Sequence, residues 1–304
     1  MSKTEIKYAN IAIIGKPNVG KSSLMNELTN SLTSIVTAKP QTTRNAISVV
    51  YEDDDSKFVF TDTPGYLNPH YKLDEFLNQE IKQAYEKAEY ILFLTDMSRP
   101  LSPEDNEIIE LLQNLRNKKI ILVVNKAETA LNQSLIDERI NLLKQSINFI
   151  DTIQISALHK INIDKLIELI KMQITPSPIN EWFGQQYKQD DLFLISEIIR
   201  EQCLILLDKE VPHGVGVQIE SEEYQPEQQI WKIAASLIVE KESHKPIIIG
   251  KNGTMIKNIR VNSVKKISSI YDARIQLHLF AKVEKNWRNS FATLNSLGYK
   301  NKKS

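Results

Sequence analysis

With 304 residues, 41% hydrophobic and 25% charged side chains and a formal net charge of zero, the chain has the make-up of a globular protein long enough for two domains. That composition excludes a disordered or low-complexity chain; one cysteine excludes an internal disulfide, five scattered histidines show no metal-ligand spacing, and no apolar run approaches the roughly 18 residues of a membrane-crossing helix. The charge is unevenly placed: residues 241–304 hold 14 Lys+Arg and 3 Asp+Glu, so an excess of +11 there is balanced by −11 over 1–240, which suits one region to a polyanion.

In chain order, the opening "MSKTEIKYAN" lacks an apolar signal segment, so a cytoplasmic location is expected. A strand is predicted at Ile11–Ile14, followed directly by "GKPNVGKS" at 15–22 and an amphipathic helix over Ser22–Leu32. In a strand, G-x-x-x-x-G-K-[ST] loop and helix, the loop N–H groups and the helix N-terminus converge on phosphate. The candidate contacts are Gly15, Lys16, Pro17, Asn18, Val19, Gly20, Lys21, Ser22 and Ser23. Lys21 would reach the β- and γ-phosphates and the Ser22 hydroxyl would ligate Mg²⁺, while Gly20 leaves room where a Cβ would intrude. The next predicted strand, Phe58–Phe60, leads into "DTPG" at 62–65. There Asp62 can hold Mg²⁺ through water, and Gly65, after Thr63 and Pro64, can offer its amide to a γ-phosphate, a contact made only in the triphosphate state.

A helix over Leu73–Ala88, a strand at Tyr90–Leu94, a helix over Glu104–Asn114 and a strand at Ile120–Val124 follow, and the last ends in "NKAE" at 125–128. Guanine presents two donors on one edge, N1–H and the N2 amino group, which one carboxylate can accept; adenine presents an acceptor at N1. Glu128 is therefore the candidate base reader, with Asn125 bonding N7 and bracing the loop and the Lys126 stem covering the base. After a helix over Asn132–Ser146, the strand Ile153–Ile155 ends in "SAL" (Ser156, Ala157, Leu158), where the Ala157 amide is expected to donate to guanine O6. Ile163–Met172 reads as the closing helix. Continuous apolar strands separated by helices predict an α/β fold, a doubly wound and mostly parallel sheet over residues 1–175.

Pro176 and Pro178 break the helical pattern, and 176–190 reads as a linker. Residues 191–304 then read helix (Asp191–Leu207), strands (Val215–Glu220 and Ile230–Val239), two short helices, a strand (Arg274–Val283) and a final helix (Trp287–Leu297), a smaller α+β domain. Cys203, in an apolar stretch, reads as a buried structural thiol. Between the two short helices lies "GKNG", Gly250-Lys251-Asn252-Gly253, with Lys257 and Arg260 beyond it. A G-x-x-G loop admits a sugar-phosphate backbone to main-chain amides, so this is the candidate RNA site.

The ordered set "GKPNVGKS", "QTTR" (41–44), "DTPG", "NKAE" and "SAL" resembles the TrmE-Era-EngA group of translation-factor-type GTPases. The second domain is similar to the type II KH domain of the Era family, and the resemblance runs from about residue 8 to residue 299, closing on "SLGY". It implies GTP and GDP as ligands with Mg²⁺, and slow GTP hydrolysis carried by Lys21, Asp62 and Gly65. It assigns Thr43, with Thr42 as second choice, to a switch segment that completes the Mg²⁺ shell, and Asn18 to a K⁺ ion. It further implies single-stranded RNA near the 3′ end of small-subunit ribosomal RNA as partner, a role in assembling the small ribosomal subunit, a monomeric chain and peripheral membrane contact. Two positions depart from the usual pattern: Tyr66 stands where many GTPases have a water-positioning Gln, and Glu128 replaces the Asp of Asn-Lys-x-Asp. They leave open an alternative, an RNA-binding scaffold that holds nucleotide without cycling it efficiently.

Overall fold

The computed structural model describes residues 5–29, 44, 47–64, 70–96, 100–115, 117–129, 133–178, 183 and 190–299. These fall into two compact units, the second beginning at Asp190 and also taking in residues 70–76.

In the first unit β1 (Glu5–Ile14) ends in a run, Ile11–Ile14, that is buried throughout, as a strand covered on both faces must be. It lies parallel between β3 (Ser56–Asp62) and β4 (Tyr90–Asp96), and β5 (Lys119–Asn125) and β6 (Asp151–Gln154) continue the sheet in parallel. With β2 (Ile47–Glu52) the order is β2-β3-β1-β4-β5-β6. Helices α1 (Lys21–Thr29), α2 (Lys72–Lys87), α3 (Pro103–Gln113), α4 (Gln133–Ser146) and α5 (Ile163–Gln173) connect the strands. On one face Ile14, Phe93 and Val124 pack with Ile108 and Leu112 of α3 and Ile140 and Leu143 of α4. The alternate residues Ile13, Leu92, Leu94 and Val123 are equally buried, so the doubly wound reading holds. Its consequence for function is positional: the motifs following β1, β3 and β5 all emerge at the carboxyl edge of the parallel strands, where such sheets bind ligands.

Two pairings depart from the sequence reading. Strand β2, which was not expected, runs antiparallel to β3. Its turn contains no glycine; instead the Asp53 carboxylate accepts from the N–H groups of Asp55 and Ser56 and from the Ser56 hydroxyl, a side-chain substitute for a backbone turn. Lys171 of α5, 2.8 Å from both Asp53 and Asp55, ties this hairpin down. The second concerns the stretch read as linker. Ser177–Pro178 forms a short strand, β7, antiparallel to the start of β1, and the Phe183 ring lies 4.9 Å from that of Tyr8. The first unit thus extends past residue 175; Pro178 is tolerated because it sits at the margin of the sheet.

The second unit runs α6 (Asp191–Leu206), β8 (Gly216–Gln225), β9 (Ile230–Val239), α7 (Lys245–Ile249), α8 (Thr254–Tyr271), β10 (Arg274–Val283) and α9 (Phe291–Ser296). This is the expected α-β-β-α-α-β order, with sheet order β10-β9-β8. β9 is antiparallel to β8 and parallel to β10. β8 continues beyond Glu220 through a bulge between Ile219 and Ser221; Glu220, Glu222 and Glu223 are exposed on it, charges that discourage edge-to-edge pairing. The final helix is shorter than predicted, because Trp287–Asn289 forms a separate 3-10 turn. Trp287 is fully buried and donates its indole N–H to the Gly214 carbonyl at 2.9 Å. Cys203 is buried, and burial pushes its thiol up to about 12, which makes it inert as a nucleophile.

Candidate nucleotide site and RNA loop

The chain leaves β1 at Ile14, turns over residues 15–20 and enters α1 at Lys21. Asn18 (φ 64°) and Gly20 (φ 100°) take left-handed steps. At Gly20 a Cβ would also stand 2.2 Å from Asn125 Nδ2, so this glycine is required by a neighbouring loop as well as by the approach of phosphates. The Lys21 ammonium is buried and donates to the carbonyls of Gly15 at 2.8 Å and Lys16 at 3.0 Å. Burial pushes its pKa down, and the Asp62 carboxylate opposes that shift.

The Ser22 hydroxyl donates to Asp62 Oδ2 at 2.7 Å. A hydroxyl from the head of α1 and a carboxylate from the end of β3 thus meet beside the phosphate loop, a hard-oxygen donor pair that fits Mg²⁺. Thr63 donates its hydroxyl to the Ile13 carbonyl at 2.9 Å, fixing the start of "DTPG" against β1. Pro64 is buried. Thr42, Thr43, Gly65 and Tyr66 lie outside the described residues.

Asn125 is 4% exposed and joins three motifs. Its Nδ2 donates to the Val19 carbonyl at 2.8 Å, and its Oδ1 accepts from the Ala157 N–H at 2.9 Å. The Ala157 N–H, expected to donate to guanine O6, is hydrogen-bonded here to the Asn125 carboxamide inside the buried junction. Lys126 takes φ 61° and pairs with Asp96 at the end of β4, 2.9 Å away. Glu128 stands exposed in the 3-10 turn Ala127–Thr129, two residues beyond Lys126. Ser156 is buried and its hydroxyl accepts from the His159 N–H, a structural role within the turn, whereas Leu158 is 74% exposed.

Two acidic residues were missed in sequence. Asp96 holds Lys126, and Asp105 on α3 holds Lys16 at 2.6 Å. The only local signal was the Ser102-Pro103-Glu104-Asp105 run, a helix-start pattern; nothing local tied it to the phosphate loop.

In the second unit Gly250 (φ 74°), Asn252 (φ 55°) and Gly253 (φ 76°) shape a single tight turn between α7 and α8. A Cβ on Gly250 would lie 2.6 Å from that of Met255, so packing alone demands glycine there. Lys251, Asn252 and Lys257 are exposed and Arg260 is half-buried, leaving the turn and its cations open at the head of an 18-residue helix.

A phosphate loop, a Ser–Asp pair fitted to Mg²⁺ and a carboxylate-bearing base loop define a GTPase domain, here followed by a KH-type unit. Residues 10–126 match the family described as 50S ribosome-binding GTPase, and residues 210–288 match the KH domain. GTPase Era of Ureaplasma parvum is 54% identical, covering 98% of this chain and 99% of that protein; GTPase Era of Clostridioides difficile is 38% identical over 96% and 98%. Two solved structures match at TM-score 0.89 and 30% identity over 97% of this chain: an Aquifex aeolicus Era variant bound to GDP.AlF4-, and Era in complex with MgGDPNP and nucleotides 1506-1542 of 16S ribosomal RNA. The chain belongs to the Era family of GTPases. It is a GTPase, an enzyme that hydrolyses GTP to GDP, and carries a KH domain.

Proposed function

We propose that this GTPase acts as a switch on single-stranded RNA from the 3′ region of small-subunit ribosomal RNA and assists assembly of that subunit. The carrying observation is the open Gly250–Gly253 turn with Lys251 and Lys257 exposed beside it; the solved Era complex with 16S ribosomal RNA supports the choice of RNA. The turn amides and lysines would clamp backbone phosphates. The test is titration of a single-stranded oligonucleotide of that region against the full chain. The Lys251→Ala/Lys257→Ala variant is expected to bind about tenfold or more weaker, with a salt slope reduced by about 1.4 for two lost phosphate contacts. An unchanged affinity and slope would remove the turn from the RNA site.

For hydrolysis, Lys21 would neutralise charge on the β- and γ-phosphates and Ser22 and Asp62 would hold Mg²⁺, with Thr43 completing the metal shell and the Gly65 amide sensing the γ-phosphate. Bound Mg²⁺ supplies the Lewis acid. In place of an arginine finger we assign to Asn18, exposed on the phosphate loop, the binding of a K⁺ ion. GTP turnover is then expected to be about tenfold faster in KCl than in NaCl at equal ionic strength; equal rates sink the assignment. We further propose a cytoplasmic monomer whose membrane contact is peripheral. Among the described residues no helix is long and apolar enough to cross a membrane. Sedimentation as a dimer, or retention in carbonate-washed membranes, would contradict this.

A further inference from the structure

We infer that Asp105, at the start of α3, is a positioning residue for nucleotide binding, which holds the phosphate loop in its receptive form through Lys16. The Asp105 side chain is 1% exposed, and three donors converge on its Oδ2: Lys16 Nζ at 2.6 Å, the Ser102 N–H at 2.8 Å and the Ser102 hydroxyl at 3.0 Å. The two Ser102 bonds are those of a helix cap, and a neutral acceptor satisfies a cap. A buried carboxylate needs more, because an uncompensated charge in such a position is strongly unfavourable. The compensating cation comes from the phosphate loop, 89 residues earlier in the chain, and not from α3 itself.

That choice of partner has a consequence for the loop. Lys16 contributes its ammonium to Asp105 and its main-chain carbonyl to Lys21 Nζ. A continuous line of charge-assisted contacts therefore runs from the buried cap through Lys16 to the ammonium that meets the phosphates. Neither Asp105 nor its helix need touch the nucleotide. Their contribution is that residues 15–17 are already ordered before binding, so the ordering cost is not charged against affinity. Asp96 does the same for the base loop by pairing with Lys126, so the end of β4 and the start of α3 steady both halves of the site.

The inference rests on the phosphate-loop reading of residues 15–22, which Lys21→Ala tests separately. GDP affinity is measured with Mg²⁺ on the full chain for Asp105→Asn, Asp105→Glu, Lys16→Met and the Asp105→Asn/Lys16→Met double variant. Asn keeps an acceptor for the cap but loses the charge, and Met keeps the Lys16 stem but loses the ammonium. Each single change is expected to weaken GDP binding about ten- to a hundredfold, the worth of one charged hydrogen bond. The double variant should be no weaker than the worse single one, because both changes break the same contact. Asp105→Glu, which restores the charge, should return to within about threefold of wild type. The idea is overturned if Lys16→Met binds GDP like wild type, or if the two single losses multiply in the double variant. Lys16→Met carries the test even if Asp105→Asn does not fold.

Discussion

Lys21→Ala is expected to erase the thermal stabilisation that GDP and Mg²⁺ confer, while the nucleotide-free protein melts no lower than wild type. The two halves follow from one geometry. Without nucleotide, the Lys21 ammonium is buried against two loop carbonyls, and burial alone already pushes its pKa down. Taking a cation out of water costs several kcal/mol before its contacts are counted, so truncating it relieves about as much as it removes. With nucleotide bound the balance reverses, because the ammonium then faces the β- and γ-phosphates. Losing charge-assisted bonds worth about 1.5–3 kcal/mol each corresponds to a hundredfold or greater fall in affinity. At a ligand concentration near 100 times the wild-type Kd, that loss removes about 2.7 kcal/mol of stabilisation, or roughly 5–10 °C in Tm for a domain of this size. Thermal melts with and without MgGDP, paired with multiple-turnover phosphate release, make the measurement. A variant that keeps the full GDP-induced shift would show that Lys21 does not meet the phosphates.

What the sequence made legible was whatever is encoded locally. The apolar runs of β1, β4 and β5 and the motifs at their ends could be read in order, since a strand covered on both faces must be apolar throughout and its loop follows directly. The elements that escaped notice depend on partners distant in the chain. Strand β2 is short, half-buried and only partly apolar, and its turn is closed by the Asp53 side chain in place of glycine, so it did not stand out as the continuous apolar strands did. Ser177–Pro178 looks like a helix breaker and a linker because its pairing partner, the start of β1, is some 170 residues away. The Asp105–Lys16 pair spans 89 residues, and Asp105 alone reads only as a helix start. The Ala157–Asn125 bond, which joins two motifs 32 residues apart, is likewise not visible in either motif alone.

That junction yields the other large effect. Asn125→Ala is expected to weaken GDP binding about a hundredfold and to lower stability by about 2–4 kcal/mol, because it leaves two buried main-chain groups without their partner. Val19 C=O and Ala157 N–H both depend on this one carboxamide. Both residues are nearly fully buried, and water therefore does not readily replace it. Truncation also opens space against Gly20, whose missing Cβ is the room that Asn125 occupies. Asn125→Asp separates the two contacts. A carboxylate still accepts from Ala157, but it sets a negative charge against the Val19 carbonyl and beside the phosphates, so its loss of affinity should equal or exceed that of Ala. What remains of binding in either variant should still favour GDP over ADP, because the group left exposed to read the base edge is Glu128 and neither change touches it. Calorimetric titration with both nucleotides decides the matter. An Asn125→Ala protein within threefold of wild-type affinity would mean that the three motifs are not coupled through this residue. Equal residual affinity for ADP would mean that Asn125, and not the Glu128 carboxylate, carries the choice of base.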